Sequence, residues 1–536
     1  MASRLRFGAV VVAAAAGLLL GMSIGNPALA QKRGGILKMY FFDSPASMSI
    51  HEESTLASQG PMMGVFNNLI MYKQDVPLAS LDSIVPDLAS EWSWDVERTA
   101  LTFKLRQGVK WHDGKPFTAK DVKCTWDMLQ GKSADKLRLN PRKAWYLNLE
   151  EVVTKGDFEV IFRLKRPQPA FLALLASGFS PVYPCHVSAR DMRQHPIGTG
   201  PFKFVEFKPN EFIKVVRNPD YWKKDRPYLD GIDYKIIKSV ATGVLAFVSG
   251  QVDMTSWYFL QVPVLADVNK QMGKELCHLA PTNVLRSVII SRQGPPFNNP
   301  DVRRAIALTL DRKAFIDTLT QGKGTIGGAL LAPPEGVWGM SPEFVRSLPG
   351  YGPDIAASRA EARKLMEKQG YGPDKRLQTK VTTRNLPPYR DPAIILIDQL
   401  KEIYIDGELE LLDTTQWYPR ITRKDFTIGL NLMTNGIDDP DQTLYEFYTC
   451  KAESNYDGYC NPEFDKMVDQ QSMESDQKKR KELVWQIEKK LAEDVARPIL
   501  YHSQSGTCWY PHVKGYTMTV NSIYNGVRME DAWLDK

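Results

Sequence analysis

Leu101, Phe103 and Leu105 alternate with Thr102, Lys104 and Arg106, the period of two that marks a half-buried strand. The chain then turns on the Asp113-Gly114 pair of Trp111-His112-Asp113-Gly114-Lys115-Pro116. From Thr118 the period lengthens. Val122, Trp126 and Leu129 fall on one face of a helix that Thr118 caps. Similar patterning predicts a strand over residues 36–42, a helix over 60–72 leading into a strand, a hairpin over 151–164 and a strand pair over 203–216. Pro300 and Asp301 suit the first turn of a helix through Ile306 and Leu310, and Asp311-Arg312-Lys313 opens another. Further helices are expected over 356–369, 393–403 and 477–494, the last with Leu483, Ile487 and Leu491 toward a core.

Length and the N-terminus change this picture. A chain of 536 residues is too long for one core and calls for two or three domains. Arg4 and Arg6 precede an apolar stretch over 7–24, and Ala28-Leu29-Ala30 forms an A-x-A site. Residues 1–30 therefore read as a signal peptide cleaved after Ala30, with a membrane anchor as the rival. A chain starting at Gln31 carries 66 basic and 62 acidic residues. That balance, with no basic run interleaved with aromatics and no zinc-finger spacing, gives no reason to expect nucleic acid.

The six cysteines fit an oxidising compartment. Cys450 and Cys460 bracket CKAESNYDGYC, a spacing that a local disulfide can close, while pairing of Cys124, Cys185, Cys277 and Cys508 stays open. Cys185-His186 with His195 can be drawn as a metal cluster, but histidines in loops beside prolines are more often structural. There is no H-E-x-x-H and no phosphate-loop motif, and no G-x-S-x-G follows the expected leader, where Gly21-Met22-Ser23-Ile24-Gly25 matches only within the apolar targeting stretch. Asp438 and Asp439 are adjacent, so on extended backbone they point to opposite faces and make a poor acid–base pair.

Four blocks in order carry a resemblance: PDLASEWSWDVERTALTFKLRQGVKWHDGKPFTAKDVKCTWDML from Pro86, HPIGTGPF from His195, RNPDYW with PYLDGI from Arg217, and FNNPDVRRA from Phe297. Together they resemble the dipeptide/oligopeptide/nickel class of bacterial extracytoplasmic solute-binding proteins, family 5. The resemblance implies an α/β, periplasmic-binding-protein-like fold of the peptide-binder type: two large lobes, a hinge and an extra N-terminal subdomain. The implied boundaries are 31–280 for the first lobe with a subdomain about 70–190, 285–500 for the second, and a C-terminal return over 505–536. It also implies a monomeric periplasmic binder, not an enzyme, with no cofactor. The binder takes a small solute and hands it to an ABC permease in the inner membrane. The family often carries a bridge in the Cys450–Cys460 loop. The rivals are a secreted enzyme and a chemosensory adaptor. Oligopeptides, glycosides and nickel chelates are alternative ligands.

The resemblance also suggests site residues. Peptide binders of the family place an aspartate for the ligand ammonium four residues before a proline. Counting back from Pro440, that place holds Gly436, and Met433 stands where an aromatic is usual. Asn435, Gly436 and Asp438 are candidate contacts in this loop, with Asp438 either reaching the ligand or, with Asp439, capping the next helix. Trp417 matches a tryptophan that stacks on the ligand. Arg384, with Arg390 as rival, matches an arginine for a ligand carboxylate. Trp257 and Tyr258 fall at the cleft edge or in the core, and His51, after the first strand, is expected in solvent, with the cleft as the alternative.

Overall fold

The computed structural model describes residues 31–536, so the expected signal peptide and its cleavage site lie outside the described residues. Four strands, Ile36–Phe41, Gly231–Ile236, Phe212–Arg217 and Phe202–Lys208, form the first sheet in that spatial order. A second four-stranded sheet, all antiparallel, orders Ala89–Trp94, Ala100–Leu105, Glu159–Leu164 and Leu149–Thr154. Its alternation is as expected: Leu101, Phe103 and Leu105 are buried. The Ala119–Leu129 helix packs on it, opened by a capping box in which Asp121 Oδ2 accepts from the Thr118 amide at 2.9 Å.

The third sheet belongs to the other lobe and orders Ile405–Leu412, Leu377–Arg384, Ile428–Thr434, Cys277–Ile290 and Ile499–Cys508. Its first three strands are mutually parallel, and the last two join antiparallel. The paired strands Cys277–Ile290 and Ile499–Cys508 run between the lobes. At one end Leu260 bridges Gly506 and Met254 bridges Trp509, and at the other Val284–Ile290 pair with Ile428–Thr434. Between these ends the ladder is interrupted from Pro281 to Val284, an irregularity that lets paired strands bend. After the strand the chain returns to the first lobe. There Asn521 hydrogen-bonds Ala79 and Arg528 pairs with Asp87 at 2.7 Å. Among the described residues no helix is long and apolar enough to cross a membrane.

Several expectations shift. The helix expected over 60–72 is Leu56–Met63, followed by a turn and a short strand, Ile70–Tyr72. The turn forms because Asn67 and Asn68 bind Asp87 by side chain and backbone, the kind of local bond that competes with a helix. The helix expected over 393–403 starts earlier, at Pro387, whose missing N–H costs nothing in a first turn. His51 is buried, not in solvent. Its Nε2 lies 2.9 Å from the Pro181 carbonyl, and burial lowers its pKa to about 3. All six cysteines pair, as Cys124–Cys185, Cys277–Cys508 and Cys450–Cys460. Cys185 is therefore not a free thiolate for a metal.

Candidate functional site

Between the two lobes lies a cavity of about 110 Å³. From the first lobe Phe42, Arg142, Phe179 and the Trp257–Tyr258–Phe259 turn face it. From the second come Val284 and Arg286, Leu432 and Thr434, Arg384, Tyr389, Tyr418, Gln442 and Glu446. Strand alternation places the first four of these: Val284 and Arg286 are two apart, as are their cross-strand partners Thr434 and Leu432. Ser505 and Tyr524 of the C-terminal segment close the wall. The lining is aromatic, with Phe42 stacked on Phe259 at 4.4 Å. An adjoining hollow shares Ser54, Tyr418, Ser454 and Tyr456 with it, leaving room for a solute to extend.

Arg384 ends the Leu377–Arg384 strand and reaches across to the first lobe. Its Nη2 pairs with Asp43 Oδ2 at 2.7 Å, and its Nη1 donates to the Tyr389 hydroxyl at 2.7 Å. Burial works against its charge, but Tyr389, Tyr418 and Asp43 more than offset it and raise its pKa. Glu446 accepts from Trp145 Nε1 at 2.9 Å and from Gln442 Nε2 at 3.2 Å. Burial pushes its carboxyl up to about 7. Arg142 donates to the Ile50 and Glu53 carbonyls and lies 4.2 Å over the Phe179 ring.

Of the residues suggested by sequence, Arg384, Trp257 and Tyr258 line the cavity. Trp417 does not. It is fully buried behind the wall among Ile289, Ile421, Phe426 and Tyr456, and the next residue, Tyr418, faces the cleft instead. Asn435 is also behind the wall, binding Asn283, Ala329 and Thr443. The Gly436 carbonyl accepts from Ser522 and Asn525. Asp438 turns away to accept the Val337 amide at 2.8 Å, and burial raises its pKa to about 7. Helix capping falls to Asp439, which accepts the Asp441 amide. Arg390 pairs with neighbouring Asp391. Sequence reasoning missed Asp43, Arg142, Arg286, Glu446 and the Phe42–Phe259 stack. Arg286 alone left a signal, a lone charge inside the apolar run VLRSVII.

The comparisons with known proteins agree with this geometry. The model for bacterial extracellular solute-binding proteins, family 5 Middle, matches residues 83–455. The oligopeptide-binding protein AppA of Bacillus subtilis is 26% identical over 489 residues, covering 87% of this chain and 84% of that protein. The periplasmic binding protein DppA from Helicobacter pylori, solved with the peptide STSA, superposes with a TM-score of 0.81 at 22% identity, covering 94% of this chain and 99% of that one. The binding protein AgaA from A. tumefaciens R10, solved with agropinic acid, gives a TM-score of 0.80 at 22% identity with the same coverage. With a family model matching well over half its length and a two-lobed fold around an interlobe cleft, the chain belongs to the bacterial extracellular solute-binding proteins of family 5, which bind solutes for ABC importers and are not enzymes.

Proposed function

We propose that this protein is a monomeric periplasmic receptor that closes its lobes over one polar organic solute and presents the closed form to an ABC permease. The lobes are taken as 31–280 and 285–500, with 505–536 returning to the first. The observation that carries the reading is a cavity walled by side chains of both lobes and bridged by Asp43–Arg384. Such a cavity completes its contacts only when the lobes approach. Binding energy comes from aromatic burial and a few fixed polar groups.

The solute is one without a primary ammonium, such as a glycoside, an acylated amino-acid derivative or a chelate. An ammonium is costly to bury without an opposite charge. Gly436 offers none, and the Asp438 carboxylate is engaged by Val337. The peptide reading is the second one, favoured by relatives named for oligopeptides and di/tripeptides. One variant separates the two. A Cβ at Gly436 meets nothing nearer than 3.5 Å, and its nearest atoms include Gln442 Oε1 and the Tyr524 ring, both in the cavity wall, so Gly436→Asp sets a carboxylate beside that wall. Calorimetry with plain dipeptides should show weak binding to the wild type and a gain of about tenfold or more in the variant. Submicromolar dipeptide binding by the wild type would establish the peptide reading instead. Small-angle scattering with any bound solute should show a more compact particle.

A further inference from the structure

We propose that the solute carries an oxyanion, a carboxylate or a phosphate, and that Arg286 is its receptor in the cleft. This rests on the interlobe-capture reading and specifies the ligand class for it.

Arg286 sits mid-strand in Cys277–Ile290, opposite Leu432 on one neighbouring strand and Tyr501 on the other. It is only 4% exposed and lines the cavity. Its Nε and Nη1 are buried with no hydrogen-bond partner among the described residues. Its guanidinium lies 5.0 Å from the Tyr501 ring centre, and it joins no ion pair among the described residues. A buried guanidinium with neither counter-ion nor acceptor is strongly disfavoured unless something else supplies them. The flanking side chains on its face, Val284, Leu432 and Thr434, bring no carboxylate.

A second observation is independent of that one. Three guanidiniums line the cavity, Arg142, Arg286 and Arg384, against one carboxyl, Glu446. Arg384 is matched by Asp43, and Arg142 by two carbonyls and the Phe179 ring, with the Glu446 carboxyl nearby. Arg286 remains unmatched. The planar fork of an arginine takes a carboxylate or phosphate through two parallel bonds, while the aromatic walls take the apolar body of the solute.

The test uses the mature protein, stripped of bound solute by unfolding and refolding, and calorimetry with matched pairs: N-acetylphenylalanine and its amide, glucuronate and glucuronamide, benzyl phosphate and benzyl alcohol. In at least one pair the acid should bind about ten- to hundredfold tighter than its neutral partner. Arg286→Gln should abolish that preference with the apo melting temperature little changed, and Arg286→Lys should restore part of it. The carboxylate and phosphate pairs tell which oxyanion is preferred. Equal binding of acid and neutral partner in every pair, no binding of any acid at millimolar concentration, or an undiminished preference in Arg286→Gln would overturn the proposal. Should Arg286→Gln not fold, the solutes released by denaturing natively exported protein decide: retention on an anion exchanger at neutral pH supports the proposal, and flow-through overturns it. Failure of the underlying reading looks different. An acid that binds through Arg286 without compacting the particle refutes interlobe capture and leaves the Arg286 assignment standing.

Discussion

At the scale of single residues, neighbouring positions divide into wall and support. Trp417 is fully buried, with its Nε1 3.4 Å from Asn431 Oδ1, whereas Tyr418 faces the cavity. Trp417→Ala should therefore destabilise the apo protein by about 3–5 kcal/mol, read as a drop in the denaturation midpoint. Tyr418→Ala should leave that midpoint nearly unchanged and weaken solute binding. The opposite pattern would put Trp417 in the cleft after all. Glu446 allows a pH test. Burial raises its carboxyl from 4.5 to about 7, so the folded state holds a proton that the unfolded chain releases. The cost of this group to stability is absent below pH 4.5 and grows as pH rises toward 7. Glu446→Gln keeps an acceptor for Trp145 and removes the charge. It should be more stable than the wild type by about 1–3 kcal/mol above neutral pH, with the gap closing in acid. A gap independent of pH would mean that Glu446 titrates normally.

At the scale of elements, strands and helices were legible where burial is one-sided. Residues 101–105 and the helix capped by Thr118 lie as their periods require, because each buries one face against a neighbour. The Leu56–Met63 helix was misplaced because all eight of its residues are buried, which erases the period. The site was harder to read. Its wall joins Phe42, Arg142, Arg286 and Glu446, residues hundreds of positions apart that only the paired interlobe strands and the C-terminal return bring together. Asp43 has no local signal at all; its role exists only because Arg384 ends a strand opposite it. Disulfide spacing beyond the Cys450–Cys460 loop was equally silent. The pairs close chain separations of 10 and 231 residues for Cys450–Cys460 and Cys277–Cys508. Loop-closure entropy alone assigns about 3 kcal/mol to the short loop and about 5 kcal/mol to the long one. Replacing Cys277 and Cys508 by serine should thus lower the unfolding midpoint more than replacing Cys450 and Cys460. Peptide mapping without reductant should recover all three pairs. Free thiols at Cys277 and Cys508 would remove the cross-link between the interlobe strands.

At the scale of the whole molecule, the balance between open and closed lobes rests on what spans the cleft before any solute arrives. Asp43 follows the first-lobe strand Ile36–Phe41, and Arg384 closes a second-lobe strand. Both are buried, and Thr414 hydrogen-bonds them both. In the proposed opening this pair separates and on closing it re-forms, so we expect it to bias the empty protein toward closure. A solute needs only to add to that bias, since a ligand shifts an equilibrium by its differential affinity for the two states. The bias also has a cost for recognition, because a ligand carboxylate arriving at Arg384 must displace Asp43 before it gains anything. Asp43→Asn removes the charge and keeps the size. The Tyr389 and Tyr418 hydroxyls still face Arg384, so the second lobe should remain folded. The empty variant should scatter as a larger particle than the empty wild type, and saturating solute should return both to one compact size. Apparent affinity should fall by the fraction of closed form lost. Identical scattering of the two empty proteins would show that Asp43–Arg384 does not hold the lobes together.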